Sequence, residues 1–247
     1  MDSATGLPPA VQETLDLFVE SAKEGFQVDL LSIVLFGSAV EGRLRPTSDV
    51  NVMLVLRQFD QKRVNQIRDS YRMAHAAVRL NAMFILESEI DLAAESFAVK
   101  FMDIMDRRRI LYGADPFANL TLLPDAVRRR LKQVLMNLTL RLREHYVLTS
   151  LREEQLATEI ADATGPIRAA AAAILHLEGH PAPSPKEALE RCAAEFTDRS
   201  WADVLRHLTE ARMEGRLPPG VAGPTLFALL DLIRRLLDRA ESLATAS

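Results

Sequence analysis

Leu35-Phe36-Gly37-Ser38, followed by Ser48-Asp49-Val50-Asn51-Val52, sets the fold of this chain. Leu30–Phe36 is a short apolar run with β-branched residues, closed by Gly37, and reads as a strand. Asp49–Leu56 reads as a second strand. Alternation puts Asp49, Asn51, Met53 and Val55 on one face and Val50, Val52, Leu54 and Leu56 on the other. Asp and Asn are poor strand formers. Two of them at period two, on the face next to a Gly-Ser turn, call for a reason. Taken alone, Gly37-Ser38 also fits an ordinary tight turn, and Ser48-Asp49 a strand-entry cap.

Working outward, Pro8-Pro9 opens a helix at about Ala10–Gly25, whose apolar residues recur at helical spacing. Gln61–Ala77 reads as a helix, Arg79–Leu86 as a third strand and Asp91–Arg109 as mostly helical. Leu111-Tyr112-Gly113 then leads to a turn at Asp115-Pro116. This gives a small mixed α/β domain over residues 1–120. From Pro124 onward nearly every segment reads as helix, so residues 121–247 are expected to form an all-α bundle. Arg128–Ser150 is one long helical pattern. Glu153–Glu178 is another, expected to kink or break at Gly165-Pro166 because proline removes a hydrogen bond. Ser184-Pro185-Lys186-Glu187 is a strong helix start, and Ser200-Trp201-Ala202-Asp203 a weaker one.

The ordered set of strand, Gly-Ser turn, gap, Ser-Asp-Val-Asn and second strand resembles the active-site signature of the nucleotidyltransferase superfamily. The likeness covers about residues 10–117, including the Leu111-Tyr112-Gly113 ending. The resemblance implies a mixed-sheet nucleotidyltransferase-like domain and a nucleoside triphosphate site. It also implies Mg²⁺ held by two acids on the second strand, with a third acid on the next strand. Here Asp49 is the catalytic and metal-ligand candidate, and Asn51 stands where the second acid belongs. Asn81 is the best match for the third, since Glu87, Glu89 and Asp91 follow the strand. Asn keeps the shape of Asp but supplies a neutral oxygen, and hard divalent ions need carboxylate charge. The pattern Asp-Asn-Asn therefore favours a pseudo-enzyme that binds nucleotide or a protein partner. An active Mg²⁺-dependent enzyme with a replacement acid, moving a nucleoside monophosphate to a hydroxyl, is the alternative. An antitoxin-like interaction module without ligand is a third reading.

A triphosphate site needs close backbone N–H groups and nearby cations. Gly37 permits the close turn, and Ser38 adds a hydroxyl at an expected helix N-terminus over Ser38–Glu41. Arg43 and Arg45 are candidate phosphate contacts. Arg107-Arg108-Arg109 and Arg128-Arg129-Arg130 read mostly as solvated surface. Arg141 and His145 are expected to pack or lie at the surface. Trp201 is expected in the core. In antibiotic-modifying relatives an α/β domain precedes a helical bundle, and a bundle acid can serve as base. Glu144, Glu153, Glu154 and Glu159 are equivalent candidates for that role. The bundle also suits dimerisation.

The 247 residues carry a net charge of −4, which gives no reason to expect general nucleic-acid binding. The single cysteine, Cys192, excludes an internal disulfide framework and fits a reducing compartment. With no signal-peptide pattern at the N-terminus and no apolar run of membrane length, the expectation is a cytoplasmic protein.

Overall fold

The computed structural model describes residues 6–42, 44, 48–149 and 151–243. The chain divides into two compact units, residues 1–96 with 100–122, and residues 97–99 with 123–247.

In the first unit, α1 (Pro9–Phe26) leads to β1 (Leu30–Phe36), β2 (Val50–Leu56), α2 (Gln61–Val78) and β3 (Leu80–Leu86). Two short helices follow, α3 (Ile90–Ser96) and α4 (Ala98–Asp106), and then β4 (Arg108–Gly113). The sheet order is β3-β2-β1-β4. β1 runs antiparallel to β2 and to β4, while β2 and β3 are parallel, as the α2 crossover requires. Alternation along the strands splits the core in two. Ile33, Leu35, Val52, Leu54 and Leu80 pack with Leu15, Phe18 and Ala22 of α1 and Ile67 of α2. Val34, Phe36, Met53, Val55 and Ile85 pack with Ile90 and Ala94 of α3, Phe101 and Ile104 of α4, and Phe117.

The edge strand β3 is protected by its own neighbours. Leu80 O is met by His75 Nδ1 at 2.9 Å, the Ala82 N–H donates to Tyr71 Oη at 3.1 Å, and the Leu86 N–H to Glu89 at 2.9 Å. Side chains on these outward groups blunt the edge against strand addition.

β4 corrects the sequence expectation, which extended a helix to Arg109 and placed no strand there. An edge strand with every residue half-buried or exposed shows no alternation to read. Its pairing with β1 defines it. Gly113 sits at φ +76°, where a Cβ would lie 1.9 Å from Leu31 O, so only glycine lets the two strands approach. A second correction concerns Ser38–Glu41. The chain makes only a three-residue 3₁₀ turn, Gly37–Ala39, and no α-helix begins there.

The second unit consists of α5 (Pro124–Thr149), α6 (Glu153–Leu177), α7 (Pro185–Ala194), α8 (Ala202–Glu214) and α9 (Ala222–Ser242). α6 is central, packed against the other four. It runs without a break through Pro166, contrary to expectation. Pro166 is itself exposed, while Ala163, Thr164, Ile167 and Ala170 beside it are buried. Packing of that face outweighs the lost hydrogen bond, and Gly165 lacks the Cβ that would crowd the proline ring. Ser184 caps α7 through the Glu187 N–H, as its sequence indicates. Trp201 is 4% exposed, and its indole N–H donates to Phe196 O. Among the described residues no helix is long and apolar enough to cross a membrane.

Candidate functional site

The Gly-Ser turn and the polar start of β2 meet at one end of the sheet. Asn51 is the second residue of β2, and its partner across β1 is Phe36, the last residue before Gly37. Gly37 has φ +78°, and a Cβ there would lie 3.9 Å from Asn51 Nδ2. There is room for a side chain at Gly37 but not for its backbone conformation. The Gly37 N–H donates to Arg107 O at 3.0 Å, and Gly37 O accepts from Val40 N–H at 3.1 Å. Ser38 lies half-buried in this turn.

In the parallel pairing of β2 with β3, Asn51 stands opposite Asn81, and Met53 opposite Met83. The two amides therefore occupy neighbouring positions on the same face, about 5 Å apart. Asp49 falls one residue before β2. Its carboxylate accepts from Arg79 Nε at 2.7 Å, while its backbone oxygen lies 3.5 Å from Asn51 Nδ2.

Sequence reasoning missed Arg79. It ends α2 in the left-handed conformation, φ 54° and ψ 40°, with its N–H on Ala74 O and His75 O. Its own carbonyl accepts from the Val50 N–H at 3.2 Å. A non-glycine residue at positive φ costs about 1 kcal/mol or more. Here the backbone bonds on both sides hold it. The place was visible as a helix end without glycine, one alternation before Asn81. The pair is open to solvent, Arg79 being 61% and Asp49 39% exposed in their side chains, so it contributes at most about 1 kcal/mol.

The donor set does not suit a two-ion centre. It offers one carboxylate, already paired with a guanidinium, and two neutral amides. Among the described residues no group of three His, Cys, Asp or Glu side chains is arranged to hold a metal ion. Arg43 and Arg45 lie outside the described residues. Glu87 and Glu89 form a 3₁₀ turn after β3, and Glu89 is used as a cap for Leu86.

The arginine run 107–109 is not solvated surface, which corrects a further expectation. Arg107 is 20% exposed and paired with Asp103 and, at 3.4 Å, with Glu41. This pair ties the segment after the Gly-Ser turn to the start of β4. Arg108 grips Asp115, whose carboxylate also accepts the Phe117 N–H. The Arg108 hydrogen bond holds the Asp115 carboxyl below its usual range. Arg107 and Arg108 therefore each have an acid partner.

In the second unit the four candidate acids differ in setting. Glu159 is 14% exposed and meets Arg141 at 3.1 Å and His145 at 2.9 Å. Glu153 accepts the Ala222 N–H that opens α9. Glu144 and Glu154 are exposed.

No protein-family model matches the chain. A protein of Methanocaldococcus jannaschii, whose assignment as a protein adenylyltransferase is provisional, is 29% identical over 106 residues, covering 42% of this chain and 72% of the relative. The fold is similar to that of the spectinomycin adenyltransferase AAD(9) from Enterococcus faecialis, solved with ATP and spectinomycin. The TM-score is 0.63 at 14% identity, over 90% of this chain and 99% of that one.

Proposed function

We propose that this chain, a nucleotidyltransferase-superfamily protein by its fold and by the sequence of its first unit, retains a nucleoside triphosphate site at the Gly37–Ala39 turn but not metal-dependent transfer chemistry. The observation that carries this reading is the state of the acid positions. Asp49 is paired with Arg79, and Asn51 and Asn81 stand side by side where charge would be needed. Nucleotidyl transfer relies on positioning and on divalent ions that neutralise the phosphates. One shared carboxylate is a poor holder of such ions. What remains is suited to binding: a glycine turn that admits close approach, with the Asn51 amide beside it. The chain then acts through nucleotide-dependent binding of a partner.

A second reading is favoured by the names of the similar proteins. An active enzyme would transfer an adenylyl group from ATP to a hydroxyl of a protein or small molecule. Calorimetric titration with ATP and the other nucleoside triphosphates, with and without Mg²⁺, tests both. The binding reading expects saturable ATP affinity that Mg²⁺ does not strengthen, and no pyrophosphate release with candidate acceptors. Mg²⁺-dependent pyrophosphate release that Asp49→Ala abolishes would replace it with the active enzyme. Absence of affinity for every triphosphate leaves an interaction module without ligand.

A further inference from the structure

Helix α5 has three sides, and two are used within its unit. Arg141 and His145 reach Glu159 on α6. Tyr146 packs edge-on against Phe227 of α9, ring centroids 4.7 Å apart. Leu131, Leu135, Leu138 and Leu142 are buried between these two directions. The third side is opposite them. At about 100° per residue, Met136, Leu140 and Val147 line up there. They are 43%, 55% and 79% exposed, and Leu151, just past the helix end, is 98% exposed. A surface helix ordinarily places charged or polar residues on such a side. Three large apolar groups in one row on a charged chain mark a binding face.

The charges on this side identify the occupant. Arg143 and Glu144 are exposed on the same face, and among the described residues neither has an ion-pair or hydrogen-bond partner. They sit within the apolar row, with Leu140 and Met136 before them and Val147 after. A second α5 laid antiparallel, about a two-fold axis between positions 143 and 144, sets Arg143 opposite the Glu144 of the second copy, and the reverse. The same operation sets Leu140 against Val147. The row is thus self-complementary in both charge and apolar surface, as an isologous interface requires.

We propose that this face joins two copies of the chain through antiparallel α5 helices. The contact is small, so the dimer is weak, dissociating in the micromolar range. Its register is fixed by the Arg143–Glu144 pairs, since like charges opposed across a helix seam are unfavourable.

Sedimentation equilibrium on the full chain across the micromolar range is the test. Wild type is expected to convert from monomer to dimer. Leu140→Asp is expected to remain monomeric, with its helical circular dichroism unchanged because the residue is exposed. Arg143→Glu alone and Glu144→Arg alone each oppose like charges and are expected to weaken the dimer about tenfold. Both changes in one chain restore it. A mixture of the two single variants forms a heterodimer, because each brings the charges the other lacks. A wild type that stays monomeric throughout the range overturns the proposal. So does a dimer indifferent to Leu140→Asp or to the charge swaps.

Discussion

Asn51→Asp combined with Asn81→Asp examines the candidate site most directly. The two positions are register partners on parallel strands, both half-buried. Two carboxylates there would stand about 5 Å apart. Their repulsion is about 3 kcal/mol at an effective dielectric constant of ~20 and about 1 kcal/mol in water. Half exposure places the cost between these limits, at about 1–3 kcal/mol. Asp49 adds little to it, because Arg79 already balances that charge. Without divalent ions the double variant is therefore expected to melt about 2–6 °C below wild type. Mg²⁺ reverses the sign. With carboxylates at positions 49, 51 and 81, an ion bound at ~0.1 mM and supplied at ~10 mM stabilises the fold by about 2.7 kcal/mol. Wild type, with one shared carboxylate, gains far less. The assay is thermal unfolding of both proteins with chelator, Mg²⁺ or Ca²⁺, beside ATP titrations under the same conditions. Equal responses of variant and wild type to Mg²⁺ would refute the view that Asn51 and Asn81 occupy vacated acid positions. ATP affinity supplies an independent check. Without Mg²⁺ the double variant binds ATP more weakly than wild type, since bare carboxylates repel the triphosphate. With Mg²⁺ it binds more tightly.

Gly113→Ala meets both a positive φ and a Cβ position 1.9 Å from Leu31 O. Separation of β1 from β4 is expected to cost more than about 3 kcal/mol, read in the denaturation midpoint, and an unchanged midpoint would contradict the glycine argument. Asp115 has its folded pKa depressed by the hydrogen bond from Arg108, so its contribution is present above the unfolded carboxyl value and fades as pH falls through the folded one. Asp115→Asn is expected to cost about 1 kcal/mol at neutral pH, with the gap to wild type closing in acid. A gap that widens on acidification would reverse the sign worked out for this pair. The Cys192 thiol is fully buried and pushed up to about 12 by that burial. Native protein at mildly alkaline pH should resist iodoacetamide, with modification appearing only on unfolding. Rapid labelling of the folded chain would show that the α6–α7 packing around Cys192 opens readily.

The sequence alone determined the α/β domain with its following helices and the strands β1, β2 and β3 to within a residue. These features rest on period, capping and turn chemistry, which act over a few residues and are written in neighbouring side chains. The Ser184 cap and the burial of Trp201 were legible for the same reason. Tertiary structure decided the rest. β4 is a half-exposed edge strand, and only its pairing with β1 separates it from the end of a helix. Pro166 stays inside α6 because Ala163, Thr164, Ile167 and Ala170 on the adjoining face are buried in the bundle, and no local propensity contains that term. The arginines at 107 and 108 look like a solvated run until the fold sets Glu41 beside Arg107 and Asp115 beside Arg108. The candidate site shows the division most plainly. The sequence placed amides where acids were expected, one residue at a time. The parallel β2–β3 register made Asn51 and Asn81 neighbours. The left-handed end of α2 brought Arg79 to Asp49 across thirty positions of chain. Contacts of that separation depend on how strands are ordered in the sheet, and that order is an outcome of the whole fold.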